Sequence, residues 1–293
     1  MKIPRRSKAS SDQALDVLIS ARTRTSSFPF VSGDSFRALA DVICDETGLY
    51  GSMRESGVAF CATRYAGMLV GHVVSNGLSD LARSMTVLVH NGDVIPSESE
   101  YAALLSTFGR VMSVNVTAEL ESMGVRALPI GIENLHWQKN GLLQYFDGLA
   151  ERAAQVPADQ RETQILASFR AQTNPEEREP LKASAVAAGA LWLEPSPDCA
   201  RYYANVRNAT FVLSPPGNGA DCHRTWEAIY LGAIPVIRRG TVSPSIVDPL
   251  PVLQVDDWEE ILGLDESARA ALASSLVDRS SISAYMPYWC RQL

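Results

Sequence analysis

The chain of 293 residues lacks the marks of several common protein classes. No apolar run approaches the length of about 18 residues that a membrane-spanning helix needs. There is no Walker loop and no GxSxG nucleophile elbow. No fixed-period repeat and no long low-complexity stretch is present. These absences argue against a membrane-embedded protein, a P-loop nucleotide hydrolase, a serine hydrolase and a solenoid.

Cysteine is scarce and scattered, with five residues and no CxxC pair. Cys222 and His223 are adjacent, which does not fit the usual spacing of zinc ligands, and no partner motif lies nearby. We therefore expect buried free thiols in a reducing compartment, no metal site and no cofactor.

Acidic residues outnumber basic ones, with 33 Asp+Glu against 26 Lys+Arg, and the formal net charge is −7. Non-specific nucleic-acid binding needs a basic face, so we expect no nucleic-acid partner. Hydrophobic residues make up 46% of the chain, which is typical of a folded globular protein. The length suits two domains.

The N-terminus is basic, with Arg5, Arg6 and Lys8, but no apolar segment of a signal peptide follows it. We expect a cytoplasmic protein. Two interpretations of the basic stretch stay open, a solvated chain end and a peripheral contact with the anionic inner surface of a membrane.

Short apolar runs alternate with helical segments along both halves of the chain, which predicts an α/β fold built on parallel sheets. We predict strands at 58–62, 85–90, 110–115, 125–130, 164–169, 210–214, 233–237 and, as an edge strand, 252–255. We predict helices at 101–108, 117–123, 142–161, 175–188, with Asn174 as its N-cap, and 199–207, a further helix starting near Asp221 or Cys222, and a helical tail opened by 256–258. The succession indicates two doubly wound, Rossmann-like domains facing across a cleft.

The predicted domains are 1–150 on the acceptor side and 160–275 on the donor side, with a tail at 276–293 that packs back on the first domain. Ligands of such sheets bind at the carboxyl ends of the strands, which places a site in the cleft.

The most informative segment, 211–237, reads as strand, Gly/Pro loop, helix and strand. The loop at 215–219 lets the backbone approach a ligand closely, and the helix N-terminus favours phosphate. Arg224 in the first turn could grip a diphosphate, and Glu227 on the same face could accept hydrogen bonds from ribose hydroxyls. The other side of the helix, formed by Trp226, Ile229, Tyr230 and Ala233, should be core. An ordinary turn with a surface ion pair between Arg224 and Glu227 is the alternative.

The strand–Pro–Gly loop, the Arg that follows it and the run Glu-Ala-Ile-x-x-Gly-x-Ile-Pro-Val-Ile resemble the C-terminal part of exostosin-like glycosyltransferases, including the ribitol xylosyltransferase branch. The resemblance covers residues 164–260 and includes Ser243-Pro244 and the stretch 173–178. It implies a GT-B fold whose C-terminal domain holds a nucleotide-sugar donor and which transfers the sugar without bound metal.

The resemblance implies that Arg224 contacts the diphosphate and Glu227 the donor ribose. The candidate donor-binding residues are Arg170, Pro216, Gly217, Asn218, Gly219, His223, Arg224 and Glu227. Without a metal, positive side chains and N–H groups must stabilise the leaving diphosphate. Arg238 and Arg239, which follow a predicted strand, are either further positive charges there or surface residues.

An inverting transfer needs a general base for the acceptor hydroxyl, and the candidates lie in the first half. Asp34 is placed first because Gly33-Asp34-Ser35-Phe36-Arg37 combines acid, hydroxyl and arginine, although it could equally be a helix N-cap. Asp93 and Glu133 follow predicted strands, and Asp93 also fits a turn. His90 is a fourth option, and a lone strand histidine is more often structural.

The first hypothesis is a metal-independent glycosyltransferase that moves a sugar from a nucleotide sugar, by analogy a uridine diphosphate sugar, to a glycan or glycolipid acceptor in cell-surface polysaccharide biosynthesis. A non-catalytic glycan- or nucleotide-binding module of a larger assembly is the alternative. A nucleotide-sugar epimerase or hydrolase is a third, because the same architecture supports both.

Overall fold

The structure is a computed structural model that describes residues 24–136, 143–146, 161–277 and 279–293. These residues form two sheets, mostly parallel, with helices packed against them, so the α/β class is confirmed. The strands are β1 Val42–Asp45, β2 Gly48–Gly51, β3 Val58–Ala62, β4 Thr86–His90, β5 Arg110–Ser113, β6 Arg126–Ala127, β7 Thr163–Ala167, β8 Leu191–Trp192, β9 Ala209–Leu213, β10 Ile234–Arg238 and β11 Leu253–Val255.

The helices alternate with these strands, as the sequence predicts. They are α1 Gly33–Arg37, α2 Ala66–Ser75, α3 Ser79–Ala82, α4 Glu98–Thr107, α5 Ala118–Met123, α6 Pro175–Ala187, α7 Cys199–Asn208, α8 His223–Tyr230, α9 Pro244–Val247, α10 Glu259–Leu262, α11 Glu266–Val277 and α12 Met286–Cys290. Short 3-10 turns occupy Thr63–Tyr65, Leu143–Tyr145, Ala171–Thr173 and Ile282–Ala284. In the described ranges no helix is long and apolar enough to cross a membrane.

The N-terminal sheet has the order β2-β1-β3-β4-β5-β6. Every pair is parallel except β1 with β2, which form an antiparallel hairpin at the edge. The sequence analysis missed this hairpin. Its turn is held by the Asp45 carboxylate, which accepts a hydrogen bond from the Thr47 backbone N–H at 2.9 Å, and Gly48 supplies a φ of 118° that favours glycine.

The C-terminal sheet has the order β11-β10-β9-β7-β8 with all pairs parallel, and β11 is the predicted edge strand. The predicted strand at 125–130 is wrong beyond Ala127. The chain leaves the sheet there because Pro129 has no N–H for the ladder, and the next N–H, of Ile130, binds the Asp221 carboxylate at 2.8 Å.

One cluster of buried apolar side chains extends from the N-terminal sheet to α8, and a second lies against the C-terminal sheet. The predicted core side of α8 is confirmed, since Trp226, Ile229, Tyr230 and Ala233 are buried. The Tyr230 hydroxyl accepts a hydrogen bond from the Val31 N–H at 3.1 Å and donates one to the Ala284 carbonyl at 2.5 Å. Tyr230 therefore joins the two ends of the described chain.

Residues near the C-terminus contact the N-terminal half. The Met286 N–H donates to the Pro29 carbonyl at 2.9 Å, and Arg110 donates to the Gln292 carbonyl at 2.6 Å. The boundary predicted between 150 and 160, most of the predicted helix at 142–161 and the basic stretch at 5–8 lie outside the described residues.

Candidate functional site

Two cavities lie at the carboxyl ends of the two sheets. One, of about 690 Å³, is lined by the segments that follow β7, β8 and β9. The other, of about 710 Å³, is lined by the segments that follow β3, β4, β5 and β6. Asp93, Ile130, Glu133 and His223 line both cavities. We name them after the predicted domains, the first the donor-side cavity and the second the acceptor-side cavity, and these four residues mark the boundary where they meet.

The loop between β9 and α8 is held by Arg178 from α6. Its Nε donates to the Pro216 carbonyl at 2.9 Å, its Nη2 to the Pro215 carbonyl at 2.8 Å and its Nη1 to the Arg170 carbonyl at 2.9 Å. The sequence analysis did not single out Arg178. Its only signal was its place in the 173–178 stretch, one turn into a helix that begins with proline.

The two loop glycines are required by close packing. A Cβ on Gly217 would lie 2.8 Å from Arg178 Nη2, and one on Gly219 would lie 2.8 Å from Asn115 Nδ2. Both glycines and Asn218 line the donor-side cavity, so the loop presents backbone to it. Asn174 is the N-cap residue of α6, as predicted, but its side chain makes no capping hydrogen bond, and its Nδ2 donates to the Pro216 carbonyl at 3.2 Å.

Arg224 lies in the first turn of α8 and lines the donor-side cavity. Its Nε and Nη1 are buried and have no hydrogen-bond partner within the described residues. The ion pairs among those residues do not include one between Arg224 and Glu227, so the interpretation of the two as a surface pair is wrong. Tyr202 forms a side-chain hydrogen bond with the same guanidinium, and the two N–H groups left without acceptors are suited to receive an anion.

Glu227 lines the same cavity but is largely enclosed, with 7% of its surface exposed. The Tyr203 hydroxyl donates to its Oε1 at 3.2 Å, and burial raises the pKa of the carboxyl. The sequence analysis placed Glu227 outside the core. Its burial against Tyr203 corrects that placement and makes it part of the packed structure as well as of the cavity wall.

Asp221, just before α8, forms hydrogen bonds that connect this helix to the loop after β6. Its carboxylate accepts from the Ile130 N–H at 2.8 Å and from Trp226 Nε1 at 3.0 Å. Its own N–H donates to Asn115 Oδ1 at 2.9 Å. Burial raises the pKa of Asp221 to about 6. The sequence pattern predicts Asp221 only as a possible first residue of a helix.

The three carboxylates predicted as bases occupy different positions. Asp93 and Glu133 lie at the boundary of the cavities. Asp93 Oδ2 accepts from Asn218 Nδ2 at 3.1 Å, whereas Glu133 Oε2 is buried with no hydrogen-bond partner in the described ranges. Asp34 lines neither cavity.

Asp34 is 1% exposed and its oxygens are occupied. Arg24 Nη1 lies 3.4 Å and Asn91 Nδ2 3.1 Å from Oδ1, and His136 Nδ1 lies 3.0 Å from Oδ2. Ser32, not Asp34, is the N-cap of α1, since its hydroxyl accepts from the Ser35 N–H at 3.1 Å. Sequence reasoning missed His136, which lies 102 residues away.

The remaining candidate residues differ in whether they line a cavity. Arg170 lines the donor-side cavity, whereas Pro216, Arg238 and Arg239 do not. Arg239 forms an exposed ion pair with Asp256 at 3.0 Å. His90 lines the acceptor-side cavity, but its Nε2 contacts the Pro129 carbonyl at 3.1 Å and its Nδ1 the Asn91 N–H at 2.8 Å. Burial lowers its pKa to about 4, so the ring is neutral and structural near pH 7.

Protein-family models give no match to this chain, and no curated protein matches it. Among the described residues, no group of three or more His, Cys, Asp and Glu side chains is arranged to hold a metal ion.

Proposed function

We propose that the protein is a glycosyltransferase that uses a nucleoside diphosphate sugar, by analogy a uridine diphosphate sugar. One observation carries the proposal: Arg224, at the N-terminus of α8, lines a cavity at the carboxyl end of a parallel sheet, and its Nε and Nη1 are buried with no hydrogen-bond partner in the described residues. An arginine and a helix N-terminus together are suited to bind phosphate. The resemblance of residues 164–260 to exostosin-like enzymes supports the same function.

The cavities support a GT-B arrangement with a donor half and an acceptor half. The donor-side cavity has room for a nucleotide sugar, and the glycan or glycolipid acceptor would enter the acceptor-side cavity. Transfer would take place at the boundary residues. We place the reaction in the cytoplasm, where nucleotide sugars are made, and assign it to cell-surface polysaccharide synthesis.

Negative charge grows on the diphosphate as the bond to the sugar breaks. Arg224, the first N–H groups of α8 and the glycine-rich loop would stabilise that charge without a metal ion, because they are oriented before the substrate binds. Arg170, on the wall of the same cavity, supplies a further positive charge. Glu227 would accept hydrogen bonds from the ribose.

The test is turnover of a panel of nucleoside diphosphate sugars in the presence of EDTA, with released nucleoside diphosphate as the readout. Arg224→Ala should lower kcat/KM by about 10²–10³-fold, and Arg224→Lys should recover part of it, since ammonium cannot make a bidentate contact. Arg54→Ala is the matched control, because Arg54 is an exposed arginine paired with Asp41 at 2.7 Å, far from either cavity lining.

Three results would count against the proposal. Full activity of Arg224→Ala would remove the donor-site assignment. Complete dependence on added divalent metal would overturn the metal-independent mechanism. Binding without turnover would favour the non-catalytic module, and water as the sole acceptor would favour a hydrolase.

A further inference from the structure

His223 is the first residue of α8 and one of the four residues that line both cavities. Its Nδ1 lies 2.7 Å from the Gly131 carbonyl oxygen. A carbonyl can only accept a hydrogen bond, so Nδ1 carries the proton. The lone pair of the neutral ring is therefore on Nε2, and no hydrogen bond to Nε2 is formed in the described part of the chain.

Four other titratable groups near the acceptor are less suitable as the base, and Glu133, whose Oε2 is buried without a partner in the described ranges, is the competing candidate. Asp34 lines neither cavity, and both ring nitrogens of His90 are engaged. His136 is bound to Asp34 and lines the acceptor-side cavity but not the donor-side cavity. Asp93 is held by Asn218. An imidazole with a fixed tautomer and an unengaged Nε2 at the boundary is suited to accept a proton.

We propose that His223 is the general base of the transfer, an assignment that rests on the proposed function. The acceptor hydroxyl oxygen forms the bond to the anomeric carbon while its proton moves to Nε2 of His223. The bond between the anomeric carbon and the diphosphate oxygen breaks, and its electron pair leaves with the diphosphate. The Gly131 carbonyl stabilises the resulting imidazolium through Nδ1. The displacement inverts the anomeric centre.

Titratable and charged groups from several elements lie near His223. They are Asp221, Arg224 and Glu227 on its own segment, His90 from the N-terminal sheet, and Asp93 and Glu133 from the loops after β4 and β6. The pH profile of the enzyme therefore reflects all of these titratable residues together. The profile of a variant must be compared with that of the wild type.

His223→Asn is the decisive variant. Its amide N–H can replace Nδ1–H towards the Gly131 carbonyl, but it has no basic nitrogen. We expect kcat to fall by about 10²–10⁴-fold. The Kd for the nucleoside diphosphate, measured by calorimetry, should stay within about twofold of wild type. The rise of kcat/KM with pH in the wild type should be absent from the variant. His72→Asn, in α2 and outside both cavity linings, is the control and should match the wild type.

The outcomes separate this assignment from the proposed function. Weakened nucleoside diphosphate binding by His223→Asn with kcat unchanged would make His223 a phosphate ligand and overturn the assignment. Retention of configuration in the product, seen by NMR, would also overturn it, since the leaving phosphate can then take the proton. A wild type that turns over no nucleotide sugar would remove the proposed function itself.

Discussion

Arg178 and Arg224 hold their guanidinium carbons 5.6 and 5.8 Å from the centroid of one ring, that of Phe169. The two guanidinium groups differ in their hydrogen bonds. Arg178 donates to three backbone carbonyls, whereas Nε and Nη1 of Arg224 have no partner in the described residues. Burial, and then the charge of Arg224, lower the pKa of Arg178. Arg178 holds the loop, and Arg224 is the arginine that we propose binds the diphosphate.

The first prediction is that removing the two charges has unequal effects on stability. Arg178→Met should lower the free energy of unfolding by about 1–3 kcal/mol or more, because the loop carbonyls lose their donors. Arg224→Met should change it by no more than about 1 kcal/mol, because removing two buried N–H groups without acceptors offsets the lost hydrogen bond with Tyr202 and the lost attraction to Glu227. Urea unfolding of both variants and the wild type measures the difference.

The same pair of variants checks the role of Arg224 in binding. Arg224→Met should remain folded and lose nucleoside diphosphate binding in calorimetry. Equal destabilisation by the two substitutions would show that Arg224 is structural, and retained binding by Arg224→Met would show that the cavity does not use its charge.

The second prediction concerns Asp34. Asp34→Ala should destabilise the protein by about 1–3 kcal/mol, because Asn91 and His136 lose their buried acceptor, while Arg24 keeps its ion pair with Glu46. Ser32→Ala should cost about 1 kcal/mol through loss of the helix cap. Asp80→Ala, an exposed aspartate at the start of α3, is the matched control and should stay within about 0.5 kcal/mol.

Asp34→Asn separates structure from chemistry in the same experiment. It keeps an oxygen for Asn91 and should remain folded. Measurable turnover by the folded variant, above one hundredth of wild type, is expected if Asp34 is not the base. A folded but inactive Asp34→Asn would restore Asp34 as the catalytic residue.

Local patterns were enough to predict much of the fold. The strand at 58–62 and the helix α5 with its stop at Gly124 follow from apolar runs and turn residues that are neighbours in the chain. The hairpin of β1 and β2 was not predicted, because its turn is held by a hydrogen bond from the Thr47 backbone N–H to the Asp45 carboxylate. The strand at 125–130 was predicted too long because Asp221, 91 residues away, takes the Ile130 N–H.

The sequence pattern indicated which residues line the candidate site, but not which other residues each of them contacts. Arg224 and the glycines were found from their place between a strand and a helix. The enclosure of Asp34 by Arg24, Asn91 and His136, and that of Glu227 by Tyr203, come from contacts across the fold that no local pattern carries. The tautomer of His223 depends likewise on a carbonyl 92 residues away.

The third prediction uses the buried carboxyl of Asp221, whose pKa is raised from 3.8 to about 6. Between these values the folded protein binds more protons than the unfolded chain, so this group's contribution to stability falls as pH rises. The wild type should therefore lose stability from about pH 4 to pH 6 at this site. Asp221→Asn, which cannot titrate, should show a flatter curve in urea unfolding over that range. An unchanged slope would mean that Asp221 does not titrate there.

The fourth prediction is that Glu227→Gln separates donor affinity from stability. Glutamine keeps an oxygen for the Tyr203 hydroxyl but loses the charge whose burial raises the pKa of Glu227. The free energy of unfolding should rise at neutral pH, and this gain should vanish at pH values below the ordinary pKa of 4.5, where both side chains are neutral. The KM for the donor should rise roughly tenfold to a hundredfold through loss of one charged acceptor, with kcat little changed, since ribose is remote from the breaking bond.

Tyr203→Phe is the control for this effect, because it removes the donor to Glu227 and leaves the carboxylate in place. It should lower stability at neutral pH by about 1–3 kcal/mol, opposite in sign to Glu227→Gln. Steady-state kinetics and urea unfolding at two pH values measure both variants. If Glu227→Gln lowered kcat as strongly as Arg224→Ala, Glu227 would act on the reacting atoms rather than on the ribose. If it lowered stability at neutral pH, the hydrogen bonds from Tyr203 and Tyr202 and the attraction to Arg224 would outweigh the cost of burying the carboxylate.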